Sequence, residues 1–184
     1  MPTLRTERLA LRPWQDADFG PFAQLNADPE VMRYFPAQMT SEASDLFAER
    51  IRRSIDDRGW GLWAVEVIDE TPFIGFVGLN EATFAAHFTP AVEVGWRLAR
   101  TAWGNGYATE AARAAIAYGF DDLELDEIVS FTTVANLPSR RVMEKLGMSR
   151  DRAGDFDHPL VDEASPIRPH VLYRLRRQDW IGSS

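Results

Sequence analysis

Between Val92 and Phe120 the hydrophobic pattern changes period within a few residues, and that change limits the folds open to the chain. Val92, Val94, Trp96 and Leu98 alternate with Glu93, Gly95 and Arg97, the repeat of a strand with one face buried. From Asn105 to Phe120 the repeat becomes helical, with Ala108, Ala112, Ala115 and Gly119 on one side. Side chains that small let a helix axis lie close to a sheet. Only the stretch Ala99-Arg100-Thr101-Ala102-Trp103-Gly104 separates the two periods. A strand that runs almost directly into a helix points to a mixed α/β sheet.

The rest of the chain extends this pattern. Arg5 to Trp14 alternates Leu9 and Leu11 with Arg8 and Arg12, which predicts a half-exposed strand. Asp16 or Asp18 is placed to cap a short helix carrying Phe19, Phe22, Ala23 and Leu25, and Asp28-Pro29 to open another through Met32. Thr40 or Ser41 starts a longer helix to about Asp57, with Ala43, Phe47, Ile51 and Ile55 as its apolar stripe and Leu46 beside it. Leu62–Ile68 and Phe73–Leu79 flank Asp69-Glu70-Thr71-Pro72 and read as a hairpin. Ile128–Val134 is a strand, and Leu137–Leu146 a helix that Gly147 ends in the left-handed conformation. Ser149–Phe156 and Val171–Leu175 are strands joined by a segment rich in Asp and Pro. No internal repeat or low-complexity tract interrupts the chain. The expectation is one domain over residues 1–184, built on a central sheet of about six or seven strands flanked by helices.

Charge and composition narrow the function. The 28 acidic residues outnumber the 20 basic ones, for a net charge of −8, which argues against general nucleic-acid binding. The absence of cysteine excludes a disulfide scaffold, a thiolate nucleophile and any Cys-ligated metal. His87, His158 and His170 form no ligand-spaced pair, so no metal is expected. No apolar run is long enough for a membrane span, and Met1-Pro2-Thr3-Leu4-Arg5 does not read as a secretory signal. The expected setting is cytoplasmic, as a monomer or homodimer, with no membrane partner. The six tryptophans fall mostly at strand and turn positions suited to core filling.

The chemistry concentrates at the strand-to-helix turn. The first N–H groups of a helix have no intrahelical acceptor, and the helix dipole adds partial positive charge there. Gly104 and Gly106 remove side chains that would obstruct a close approach. Such a turn is a backbone cradle for a phosphate or diphosphate. No Gly-x-x-x-x-Gly-Lys-[Ser/Thr] segment is present, which excludes a P-loop. A dinucleotide fingerprint fails as well, because Thr109 stands where its third glycine should be.

Trp103-Gly104-Asn105-Gly106-Tyr107-Ala108-Thr109-Glu110-Ala111 resembles the acetyl-CoA signature of the GCN5-related N-acetyltransferases. The family pattern [Gln/Arg]-x-x-Gly-x-[Gly/Ala] is met by Gly106 and Ala108, with Trp103 at the first position. Asn136-Leu137-Pro138-Ser139 through Lys145-Leu146-Gly147-Met148 is similar to the family's later helix. More narrowly, the Trp103–Ala111 stretch resembles the RimJ/RimL branch, which acetylates ribosomal-protein N-termini, and Thr6-Glu7-Arg8-Leu9-x-Leu11-Arg12 and Asp28-Pro29-Glu30-Val31-Met32 are further matches. The resemblance runs from about Thr6 to Trp180.

It implies a sheet splayed between the Val92–Leu98 and Ile128–Val134 strands, with the pantetheine arm of acetyl-CoA against the backbone of Val94, Trp96 and Leu98. It also implies a diphosphate on the amides of Gly104, Asn105, Gly106, Tyr107, Ala108 and Thr109. Asn136, Ser139, Arg140, Arg141 and Lys145 lie on the neighbouring helix, where a basic residue would meet the 3′-phosphate. A backbone N–H near Val94 or Gly95 is the expected donor to the developing oxyanion. Ser139 matches a serine that relatives hold near the sulfur, as a general acid; Asn136 reads equally as an N-cap. For the base, Glu93 lies on the strand near the expected thioester, while Asp155, Asp157 and His158 lie where relatives carry an acidic group. A water chain is a further route. The acids of Gly154–Pro169 suit a cationic acceptor. The expected reaction is acetylation of a primary amine, foremost a protein or peptide N-terminus; a small amine such as an antibiotic or polyamine is the near alternative. A non-catalytic acyl-CoA-binding module is the alternative of another class.

Overall fold

The computed structural model of the chain describes residues 1–180. Leu4–Arg5 (β1) and Leu9–Arg12 (β2) pair first, and two helices follow, Phe19–Ala27 (α1) and Ser41–Arg58 (α2). Leu62–Val67 (β3), Thr71–Ala82 (β4) and Ala91–Leu98 (β5) form an antiparallel meander. Tyr107–Asp121 (α3), Glu127–Thr133 (β6), Leu137–Lys145 (α4), Ser149–Asp157 (β7) and Pro169–Arg176 (β8) complete the order. All eight strands share one sheet in the order β1-β2-β3-β4-β5-β6-β8-β7. The expected single first strand is two, because Thr6 N–H closes a turn on the Leu9 carbonyl (2.9 Å) and interrupts it.

The sheet carries a core on each face. Trp63, Val65, Val77, Leu79, Val94 and Leu98 pack against Ala111, Ala112, Ala115 and Ile116 of α3. Alternate residues, Ala64, Phe73 and Phe76, face Phe22, Ala48, Ile51 and Ile55 of α1 and α2. The small face of α3 has the predicted purpose: a Cβ on Gly119 would lie 2.8 Å from Ile128 Cδ1. That helix therefore rests almost directly on the strands.

Three local expectations are corrected by polar contacts that periodicity does not encode. Arg12 is buried rather than exposed, because its guanidinium meets Asp18 at 2.8 Å and Glu66 at 3.0 Å. The Asp28-Pro29 stretch yields only a 3-10 turn at Met32–Tyr34, with Asp28 Oδ1 accepting from Glu30 N–H at 2.8 Å. On α2 the buried line is Ser44, Ala48, Ile51 and Ile55, and Leu46 is 58% exposed. Asn26 donates to the Ser44 hydroxyl at 2.9 Å and turns that polar edge inward. The ends of α2 match the sequence reading: Thr40 caps it through Ala43 N–H, and Gly59 (φ 79°) closes it.

Candidate active site

The sheet opens between β5 and β6, which meet at the single parallel pair Glu93–Val129. Ala99 N–H donates to the Ile74 carbonyl, and hydrogen-bonded pairs alternate along an antiparallel ladder. By that alternation Arg97, Gly95 and Glu93 bond to β4, while Val92, Val94, Trp96 and Leu98 turn their N–H and C=O groups toward β6. The Glu93–Val129 pair engages Val94 N–H, and the Ser130 hydroxyl donates to the Val94 carbonyl at 2.9 Å. Gly95 N–H is held in the β4 ladder. Neither Val94 nor Gly95 thus has a free N–H for an oxyanion; the first unpaired N–H along the opening is that of Trp96. Leu98 keeps a free N–H, but its carbonyl accepts the Trp103 indole N–H at 2.9 Å. Buried backbone groups need partners, and along this unzipped edge the described residues supply none for Trp96 N–H and Leu98 N–H.

The opening leads to the mouth of α3. Gly104 (φ 80°) and Gly106 (φ 83°) adopt the left-handed conformation, and the space over Gly104 is clear. The N–H groups of Gly104, Asn105, Gly106, Tyr107 and Ala108 donate to no described group; that of Thr109 is already bonded to the Gly106 carbonyl at 3.0 Å. The cradle is therefore one residue shorter than the sequence implied. Trp103 is 48% exposed and fills no core.

Sequence reasoning gave Arg8 no role at this site. Its guanidinium stacks 4.8 Å over the Tyr107 ring and chelates Glu110 Oε2 through Nε at 2.8 Å. Thr6 Oγ1 and Arg8 N–H both donate to Glu110 Oε1, and these bonds hold its carboxyl below the usual carboxylate range. The clue lay in the Thr6-x-Arg8 and Glu110 motifs, but only the fold joins them.

On the other face of the opening lies a cavity of about 330 Å³. Glu93, Gly95 and Arg97 of β5 and Asn80 of β4 line it from the sheet, Ser130 and Thr132 from β6, and Asn136 and Ser139 from the start of α4. Asn136 caps α4, accepting from Ser139 N–H at 3.3 Å and donating to Thr132 Oγ1 at 2.9 Å. The cap thereby fixes the first turn, and Ser139 with it, at the cavity edge. The segment before β8 contributes His158, Leu160, Val161 and Ile167. Its acids are not among the lining groups. Asp157 and Glu163 face Arg168, and Asp162 accepts from Ala164 N–H.

Of the four candidate catalytic groups, the cavity brings together Glu93, Ser139 and His158 and leaves out Asp155. Asp155 is exposed, pairs with Arg150 at 2.5 Å and accepts from Leu172 N–H. The Glu93 carboxyl takes part in no hydrogen bond or ion pair among the described residues, and burial pushes it up to about 8. His158 moves the other way, to about 4, through burial and the neighbouring His170. Its Nδ1 accepts Leu160 N–H at 3.2 Å, which suits a neutral ring. A group near 8 is a far stronger base than one near 4, which favours Glu93. Arg140 donates to the Val134 carbonyl at 3.1 Å, and Lys145 is exposed at the far end of α4.

Comparison with known proteins agrees with this geometry. Residues 8–149 match the acetyltransferase (GNAT) domain family. The chain belongs to the GNAT acetyltransferases. It is 30% identical to the uncharacterized N-acetyltransferase YnaD of Bacillus subtilis, over 96% of this chain and 98% of that protein. It is also 30% identical to the FsC-acetyl coenzyme A-N(2)-transacetylase of Aspergillus fumigatus, over 98% of this chain and 78% of the other. The crystal structure of a GNAT acetyltransferase from Bacillus anthracis superposes with a TM-score of 0.79 at 27% identity, covering 96% of this chain and 99% of that one. GNAT enzymes use acetyl-CoA as co-substrate, and the free amides at the mouth of α3 suit its diphosphate. Among the described residues, no helix is long and apolar enough to cross a membrane.

Proposed function

We propose that this acetyltransferase moves an acetyl group from acetyl-CoA to a primary amine, foremost the N-terminal α-amine of a peptide or protein. One observation carries the reading: an unpaired strand edge at Trp96 and Leu98 runs from a cradle of free amides to a cavity holding Glu93 and Ser139. The amides of Gly104 to Ala108 would hold the diphosphate, and Leu98 N–H with the Trp96 carbonyl the pantetheine arm, which leaves Trp96 N–H for the thioester. Arg140, Arg141 and Lys145 are the basic groups of α4 available to the 3′-phosphate.

Acetyl-CoA, when bound, supplies an activated thioester; the remaining work falls to the chain. The amine must first lose a proton, and Glu93 is the acceptor for it. A carboxyl raised to about 8 takes that proton far more readily than an ordinary one and is still ionised in a useful fraction near neutrality. Trp96 N–H is the donor for charge developing on the carbonyl oxygen, an interaction worth about 3 kcal/mol at such sites. Ser139 is the proton source for the leaving sulfur.

The motifs similar to the RimJ/RimL branch support an α-amine acceptor. A second reading, a small-molecule amine, is favoured by the modest cavity and by the relative named for N(2)-transacetylation. Mass spectrometry of products from isotopically labelled acetyl-CoA, with peptides and small amines in parallel, separates the two. Acetyl-CoA binding without turnover on any amine would instead indicate a binding module and refute the enzyme reading.

A further inference from the structure

Arg97 is buried in a way the reaction above does not explain. It is 7% exposed and lines the acceptor cavity on the same strand face as Glu93. Its guanidinium lies 4.1 Å over the Phe35 ring and 5.5 Å from Phe47 and Phe76. Nη1 donates to Asn26 Oδ1 at 2.6 Å, Nε is fully buried with no partner, and no carboxylate pairs with the group among the described residues. Burial pulls it down to about 10, with no charged neighbour holding it up.

The same molecule shows what a satisfied buried arginine looks like. Arg12, 8% exposed, meets two carboxylates, those of Asp18 and Glu66, and donates to the carbonyls of Pro13 and Pro72. An unpaired buried cation is costly, and a carboxylate is the partner a guanidinium fits best. We propose that Arg97 is the seat for an anionic group on the acceptor, so that the substrate is a primary amine carrying a carboxylate several bonds from the reacting nitrogen. This rests on the acetyltransferase reading of the same cavity. Glu93 and Arg97 are two pleats apart, about 13 Å between Cα atoms, so amine and carboxylate are held at separate points. A polyamine fits poorly, because its second cation would face Arg97.

The test uses matched acceptors that differ only in the anion. One arm compares 4-aminobutyrate and 6-aminohexanoate with their amides. The other compares the C-terminally amidated peptides Ser-Asp-Ala-Ala and Ser-Asn-Ala-Ala. The carboxylate member of at least one arm is expected to show a KM about ten- to hundredfold lower, the size of one charge-assisted contact, and the arm that responds identifies the source. Asn26→Asp puts a carboxylate on Arg97 from within and should erase the preference; Arg97→Lys should keep part of it and Arg97→Gln none. Acetyl-CoA affinity should stay within about twofold in each variant that folds.

Equal KM within all three pairs in the unaltered enzyme overturns the proposal, whatever the variants do, as does a preference for spermidine over every carboxylate acceptor. Calorimetry of the same compounds with CoA bound keeps the two readings apart. Carboxylate-selective binding without acetyl transfer would remove the proposed activity and leave the Arg97 seat; transfer without selectivity would do the reverse.

Discussion

The mouth of α3 and the acceptor cavity sit on the same sheet opening, yet they are made of different materials. The mouth is almost all backbone: two left-handed glycines and the N–H groups of Gly104 to Ala108, within one short sequence stretch. The cavity is mostly side chains, and they come from the turn at residues 34–36, α2, β3, β4, β5, β6, α4, the segment before β8 and β8 itself. Backbone geometry tolerates changes of side chain but not of conformation. A side-chain wall behaves in the opposite way and can be retuned residue by residue. The first arrangement suits an invariant diphosphate, and the second a variable acceptor.

Substitutions that act on one region alone break or sharpen this contrast. The largest effect on acetyl-CoA binding is expected from Gly106→Val, which forces a β-branched residue into φ 83°. Acetyl-CoA affinity measured by calorimetry should fall by more than about tenfold, since the strain costs at least ~1–2 kcal/mol. Unchanged affinity would show that the cradle is not where the diphosphate binds.

Next comes Glu93→Gln, which should lower kcat/KM by about 10²- to 10³-fold while leaving acetyl-CoA affinity nearly untouched. Its pH dependence gives a sharper test. With Glu93 raised to about 8, the base form grows as pH rises, so the unaltered enzyme should gain rate up to about pH 8. The Gln variant should keep only the limb due to the substrate amine. Stability should run the other way. The folded state retains a proton that the unfolded carboxyl, near 4.5, has already lost. Relative to the variant, the unaltered enzyme should therefore lose Tm as pH rises from about 5 to 8.

Ser139→Ala is expected to be milder, about ten- to hundredfold in kcat with little change in either KM, because water can replace a hydroxyl as proton source. Asp155→Asn should be smallest of all. It alters an ion pair outside the cavity, and steady-state rates should stay within about twofold.

The same contrast explains what could be read without coordinates. The mouth of α3 was legible because its glycines, its helix start and the strand before it are contiguous. Gly147 as the end of α4 and Asn136 as its cap were legible for the same reason. What contiguity does not supply, the sequence could not show. Glu93 was recognised by its strand position, but its burial depends on a cavity that Asn80, Ser130 and Ser139 line from other elements. Arg97 read as the polar side of an alternating strand; only the fold surrounds it with Phe35, Phe47 and Phe76. Asp155 read as a neighbour of the chemistry because relatives carry an acidic group in that region, but it pairs with Arg150 and does not line the cavity.

Glu110 gives both its oxygens to Thr6 and Arg8, at the far end of the sequence. The first turn of α3 is thus moored to the turn between β1 and β2, so trimming the chain to residue 9 would leave the sheet's central ladder whole yet free the helix mouth to drift. A purification handle or fusion joined just ahead of Thr6 would pull on the same mooring, which makes that end the wrong place to attach one.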